Sequence, residues 1–201
     1  MTIRIEVFKG AETAEYIRTL SEMRVKTFSE FPYLYVGNVE DDLVYTQVYS
    51  TSSQGMLVVA FKDETIVGIR SGVPATQTKF LNEERRQQLE KQGINSRDYY
   101  FCGELIVDPA FRQRGIAGQL MTKFIEEVNA MGFPGMIAIS SNRARNHPLR
   151  PQNYSEKVHY LSKHGFEKNP LVFTAQYPTQ QPDGSVKVED NQLACWVRKK
   201  G

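Results

Sequence analysis

The chain has 201 residues, 40% of them hydrophobic and 24% charged, the balance of an ordinary folded domain. That length fits a single domain spanning residues 1–201, large enough to bury a core without disulfide staples. Lys and Arg number 25 against 23 Asp and Glu, a formal charge of +2, so the basic excess of a nucleic-acid binder is missing and no such partner is expected.

Residues 1–6 lack the apolar run of a signal peptide, and residues 3–8 alternate apolar and polar as a strand does. Thr13 is a plausible N-cap. Tyr16, Ile17, Leu20, Met23, Phe28 and Phe31 then keep helical spacing until Pro32 stops the helix. An aromatic loop, Tyr33-Leu34-Tyr35, leads to a second helix over residues 40–49, capped by Asn38. Residues 56–61 and 65–69 are rich in β-formers around a charged turn and read as a hairpin, ended by Pro74. Residues 82–92 are helix-prone but polar almost all round, which predicts a solvated helix in an insertion over about residues 75–97.

A strand is predicted over residues 99–107, closed by Asp108-Pro109. Ile116, Leu120, Met121, Phe124 and Val128 then mark an amphipathic helix, broken by Gly132 and Pro134. A short buried strand over 136–139, an irregular stretch over 141–153, a helix from about Tyr154 to Gly165 and two strands over 171–176 and 186–198 complete the chain. The mixed order predicts an α/β (α+β) sheet with antiparallel hairpins and one βαβ crossover. Cys102 and Cys195 match no metal spacing and read as reduced thiols of a cytoplasmic protein. No window approaches ~18 apolar residues, so no membrane span is expected.

The chemistry concentrates in residues 104–120, a strand, a tight loop and a helix start. Gly115 and Gly118 let backbone approach a ligand. The helix start leaves amides unpaired at a positive dipole end, and Arg112 and Arg114 add charge. Together these suit a phosphate or diphosphate. The loop has no glycine before Gly115 and lacks the Lys-Ser/Thr of a P-loop, so nucleotide hydrolysis has no support.

Arg112-x-x-Gly115-x-Ala117, after Val107-x-Pro109, resembles the acyl-CoA signature of the GNAT acetyltransferase superfamily. The order of elements and the late Gly165-Phe166 extend the resemblance over essentially the whole chain. The strings Asn146-His147-Pro148-Leu149-Arg150-Pro151 and Phe31-Pro32-Tyr33-Leu34-Tyr35 resemble an uncharacterised bacterial branch of it. The resemblance implies a GNAT fold: a six- to seven-stranded mixed sheet, helices on both faces and a splayed central strand pair.

It also implies acetyl-CoA as co-substrate, without a metal, and direct transfer to a primary amine. Nothing in the sequence marks a peptide groove, which favours a small-molecule acceptor over a protein. Ile106 and Val107 would offer backbone to pantetheine and the acetyl oxygen. Arg112, Gln113, Arg114, Gly115, Ile116, Ala117 and Gly118 would hold the diphosphate, and Asn142 would reach the cofactor. Glu104, inside an apolar strand, is the first candidate base and His147 the second. Alternation places Glu104 on the face of Cys102 and Ile106, unless a bulge reverses it. The superfamily's usual acid position holds Leu161 here, leaving Tyr160, Tyr154 or water as proton donor. Tyr33, Tyr35 and Arg150 are candidate substrate contacts. A non-catalytic acyl-CoA-binding module is the rival reading, and a homodimer through the final strands stays open.

Overall fold

The computed structural model describes residues 2–154 and 158–200. Seven strands form one sheet in the order β1-β2-β3-β4-β5-β7-β6. They are β1 (Arg4–Lys9), β2 (Met56–Lys62), β3 (Thr65–Pro74), β4 (Tyr99–Val107), β5 (Gly135–Ser141), β6 (Glu167–Gln180) and β7 (Val186–Lys199). Every pairing is antiparallel except β4 with β5. The helices are α1 (Ile17–Phe28), α2 (Val39–Thr46), α3 (Val48–Thr51), α4 (Glu83–Glu90), α5 (Ile116–Ala130) and α6 (Val158–Lys163).

The alternation of β2 explains the layering. Leu57, Val59 and Phe61 join a core with Ile17, Leu20 and Tyr49 of α1 and α3. Met56, Val58 and Ala60 face the other way, toward Leu120, Met121 and Phe124 of α5. A strand buried on both faces reads as a continuous apolar run.

Three expectations need correction. Thr13 does not cap α1: it lies in a 3₁₀ turn, Gly10–Tyr16, and its hydroxyl donates to the Gly10 carbonyl at 2.8 Å. The helix expected over 40–49 divides into α2 and α3 at Gln47. The insertion is more than a solvated helix, because Leu81, Leu89 and Ile94 from it are buried in the core. Sparse apolar residues at irregular spacing carry that packing, so no amphipathic stripe signals it.

Two departures from regularity shape the sheet's centre. The parallel pairing runs only from Tyr99↔Gly135 to Cys102↔Ala138. Beyond it β4 stays on β3 as far as Val107, while β5 stays on β7, so the two strands part and leave a gap. At the parting point the register of β3 against β4 shifts between Arg70 and Gly72. Arg70 faces Leu105 and Gly72 faces Cys102, so Ser71 opposes both Gly103 and Glu104, which is a β-bulge. Gly103 is required there, since a Cβ would overlap the Tyr49 and Ser71 hydroxyls.

Candidate active site

The gap between β4 and β5 is a cavity of about 800 Å³, within the size range of small-molecule sites. Leu105 and Val107 line one wall, Ala138 and Ser140 the other, and Gln113 and Ala117 the mouth. The peptide edge of β4 is settled by alternation. The amide of Asp108 donates to the Val67 carbonyl at 2.9 Å, on the β3 side. A Cβ on Gly68 would lie 3.1 Å from the Ile106 carbonyl, on the same side. Leu105 and Val107 therefore turn their backbone polar groups to the gap. Ile106 does not: it is 1% exposed and points into the α1-side core. The expectation that Ile106 turns its backbone to the gap is corrected: the Leu105 backbone does so instead.

At the mouth, α5 begins at Gly115, whose φ of 78° is left-handed and suits glycine. No side chain caps this helix, and its first intrahelical bond runs from the Gln119 amide to the Gly115 carbonyl at 3.1 Å. A Cβ added to Gly115 or Gly118 would meet nothing within 4 Å. The first-turn amides thus sit beside open space at the positive end of a 15-residue helix, which is what a diphosphate needs. The residues fit a nucleotide-bearing thioester such as acetyl-CoA. Arg112 is less free than expected. Its guanidinium pairs with Glu30 at 2.7 Å and donates from Nε to the Val107 carbonyl at 3.1 Å. Arg114 lies with its guanidinium 5.5 Å from the Phe111 ring.

Glu104 sits where the sheet parts. The bulge turns it to the face of Ile106 and away from Cys102, the reversal of simple alternation. Its carboxylate accepts from Tyr49 Oη at 2.7 Å, Ser71 Oγ at 2.5 Å and Arg24 Nε at 3.2 Å. Arg24 also pairs with Asp42 at 2.5 Å. Burial, then the charge of Glu104, raises the Tyr49 hydroxyl well above its ordinary value, so it stays a donor.

Tyr160 does reach the cavity despite its place beside Leu161 on α6. Its hydroxyl donates to the Ala117 carbonyl at 2.6 Å, and burial pushes it up to about 12. Tyr33 stacks on Phe28 at 4.4 Å and lines the cavity. Tyr35 donates to Asp42 at 3.0 Å in a second, smaller cavity.

Three candidates lie elsewhere. His147 lines neither cavity: its Nδ1 accepts from the Leu149 amide at 3.2 Å, which braces the loop. Burial, then Arg143, lowers its pKa. Asn142 extends the β5–β7 pairing through its amide, 2.8 Å from the Gln192 carbonyl. Arg150 packs against Tyr154, 5.0 Å from its ring, and does not line the cavity.

Arg70 was not singled out by sequence. It is 3% exposed, lines the larger cavity, donates to the Gly103 carbonyl at 3.2 Å and lies 4.6 Å over the Phe124 ring. Its Nε and Nη2 have no hydrogen-bond partner among the described residues. An arginine inside an otherwise apolar run was the available signal. Among the described residues no group of His, Cys, Asp and Glu could hold a metal ion, and no helix is long and apolar enough to cross a membrane.

A mixed seven-stranded sheet that opens at its one parallel pair, with a bare helix start at the mouth, defines the class as the acetyltransferase fold. The chain belongs to the Acetyltransferase (GNAT) family, which matches residues 19–151. Solved structures agree on the fold. An IAA acetyltransferase from Bacillus cereus ATCC 14579 is 12% identical with a TM-score of 0.54, covering 99% of this chain and 100% of its own. The protein yncA from Salmonella typhimurium, solved with its cofactor acetyl-CoA, is 12% identical with a TM-score of 0.57, covering 99% and 94%. A GNAT family acetyltransferase from Elizabethkingia anophelis with acetyl-CoA bound is 13% identical with a TM-score of 0.57, covering 98% of each chain. No curated protein matches the chain.

Proposed function

We propose that this chain is an acetyl-CoA-dependent N-acetyltransferase that moves the acetyl group directly to a primary amine of a small molecule. The observation that carries this is the gap beginning at Gly103, open at one end to the uncapped start of α5 and meeting a second cavity at Glu104. One end suits a diphosphate and the other suits two reactants side by side.

Acetyl-CoA, when bound, supplies an activated acetyl group. The α5 start and the loop from Gln113 to Gly118 hold the diphosphate. Leu105 and Val107 present main-chain partners to the carrier's arm, and the Val107 amide is the candidate donor to the acetyl oxygen. Glu104 is the candidate acceptor of the amine's proton through a water, using the lone pair left by its three donors. Tyr160, protonated up to about pH 12, is the candidate proton donor to the sulfur. Arg70 donates to the Gly103 carbonyl at 3.2 Å and so braces the backbone where the strands part.

The internal satisfaction of Glu104 and Tyr160 is what favours the rival, an acyl-CoA sensor without turnover. Thiol release from acetyl-CoA over a panel of amines separates the two. Amine-stimulated release supports the enzyme. Binding of acetyl-CoA with no stimulation by any amine supports the sensor.

A further inference from the structure

Resting on that transferase reading, we propose that the smaller cavity takes the acceptor, and that the acceptor is a cationic amine with an aromatic or apolar body. The cavity measures about 310 Å³ and shares Phe28, Tyr33, Cys102, Gly103, Glu104 and Ile139 with the larger one. An occupant's head group at Glu104 therefore lies at the junction of the two spaces.

The walls are ring faces and edges, from Phe28, Tyr33, Tyr35, Tyr45, Phe80 and Phe101. They already hold one cation. The Arg24 guanidinium lies 4.9 Å from the Phe28 ring, 4.8 Å from Tyr45 and 5.3 Å from Tyr35, in the range of cation–π attraction. Asp42 and Glu104 have side chains only 4% exposed and share the Arg24 guanidinium. Asp42 uses Oδ1 for Arg24 and Tyr35, while its buried Oδ2 has no donor among the described residues. A buried acceptor left without a donor is costly. An alkylammonium supplies that donor with a charge opposite to a carboxylate's, and the rings accommodate its apolar remainder.

The same features disfavour other acceptors. The distal cation of a polyamine would find one further carboxylate on the lining, Asp41, which is exposed, where an ion pair adds little. A peptide N-terminus would have to seat more than one residue in about 310 Å³.

Calorimetric titration in the presence of CoA tests this, with 2-phenylethylamine, its neutral analogue 2-phenylethanol, spermidine and a short free-amino peptide as probes. The expected result is 2-phenylethylamine binding at least tenfold more tightly than each of the other three. Asp42→Asn should weaken it about tenfold while CoA affinity holds. Ala175→Trp, which narrows the cavity wall, should exclude the amine and leave CoA binding intact, a readout that stands if Asp42→Asn fails to fold. Equal or tighter binding of the alcohol, spermidine or the peptide overturns the proposal. So does CoA binding with no amine binding, which leaves the acetyl-CoA reading standing. Loss of CoA binding by the wild type would instead remove the transferase reading itself.

Discussion

At the scale of single residues, the site turns on a buried ionic cluster that no local pattern could have announced. Glu104 was legible as an isolated carboxylate in an apolar strand. Its partners were not, because Arg24 is 80 positions away and Ser71 and Tyr49 are brought up by the bulge at Gly103. Glu104→Gln leaves Arg24 paired to Asp42 but weakens the hydrogen bonds to Tyr49 and Ser71, and should cost about 1–3 kcal/mol in denaturant unfolding. If Glu104 relays the amine's proton, kcat should also fall by about 10²-fold or more at neutral pH. Tyr160→Phe should lower kcat with little change in KM for acetyl-CoA. The wild-type rate should show no tyrosine titration up to pH 10.0, the ordinary tyrosine value. A Tyr160→Phe enzyme with wild-type kcat would remove the acid role.

At the scale of elements, the α5 start was the most legible part of the site, since glycine positions and helix caps are local properties. Gly118→Val should weaken acetyl-CoA binding more than tenfold with an unchanged melting temperature, because the added side chain meets only the open space beside the helix. Equal affinity would count against the diphosphate site. The insertion was misread for the opposite reason, as Leu81 and Leu89 reveal their burial only in three dimensions. Leu89→Ala should cost about 2–5 kcal/mol. The far end of α5 is tied to β1 by Glu127, which lies 2.7 Å from Lys9 and 2.8 Å from Lys123. The hydrogen bond from Lys123, then that from Lys9, lowers its pKa from 4.5. This stabilisation is present above the unfolded value and disappears as pH falls through the depressed folded one. Glu127→Gln should therefore cost about 0.5–1 kcal/mol at neutral pH and almost nothing well below pH 4.

At the scale of the whole molecule, the chain order of strands and helices was readable because period and punctuation are written locally. The parting of β4 from β5 was not, since it depends on which strand runs out of partners. It became an expectation only through the resemblance. That the Leu105 backbone and not that of Ile106 faces the gap was hidden for the same reason, because the side of a strand that faces a gap depends on its neighbour's register. The central claim is that this gap receives the arm of acetyl-CoA along the free edge of β4. Amide hydrogen exchange, followed residue by residue with and without saturating acetyl-CoA, tests it most directly. Leu105 and Val107 should exchange quickly in the free protein and slow markedly on binding, while Ile106 should be protected throughout. Unchanged exchange at Leu105 and Val107 with acetyl-CoA demonstrably bound would contradict it.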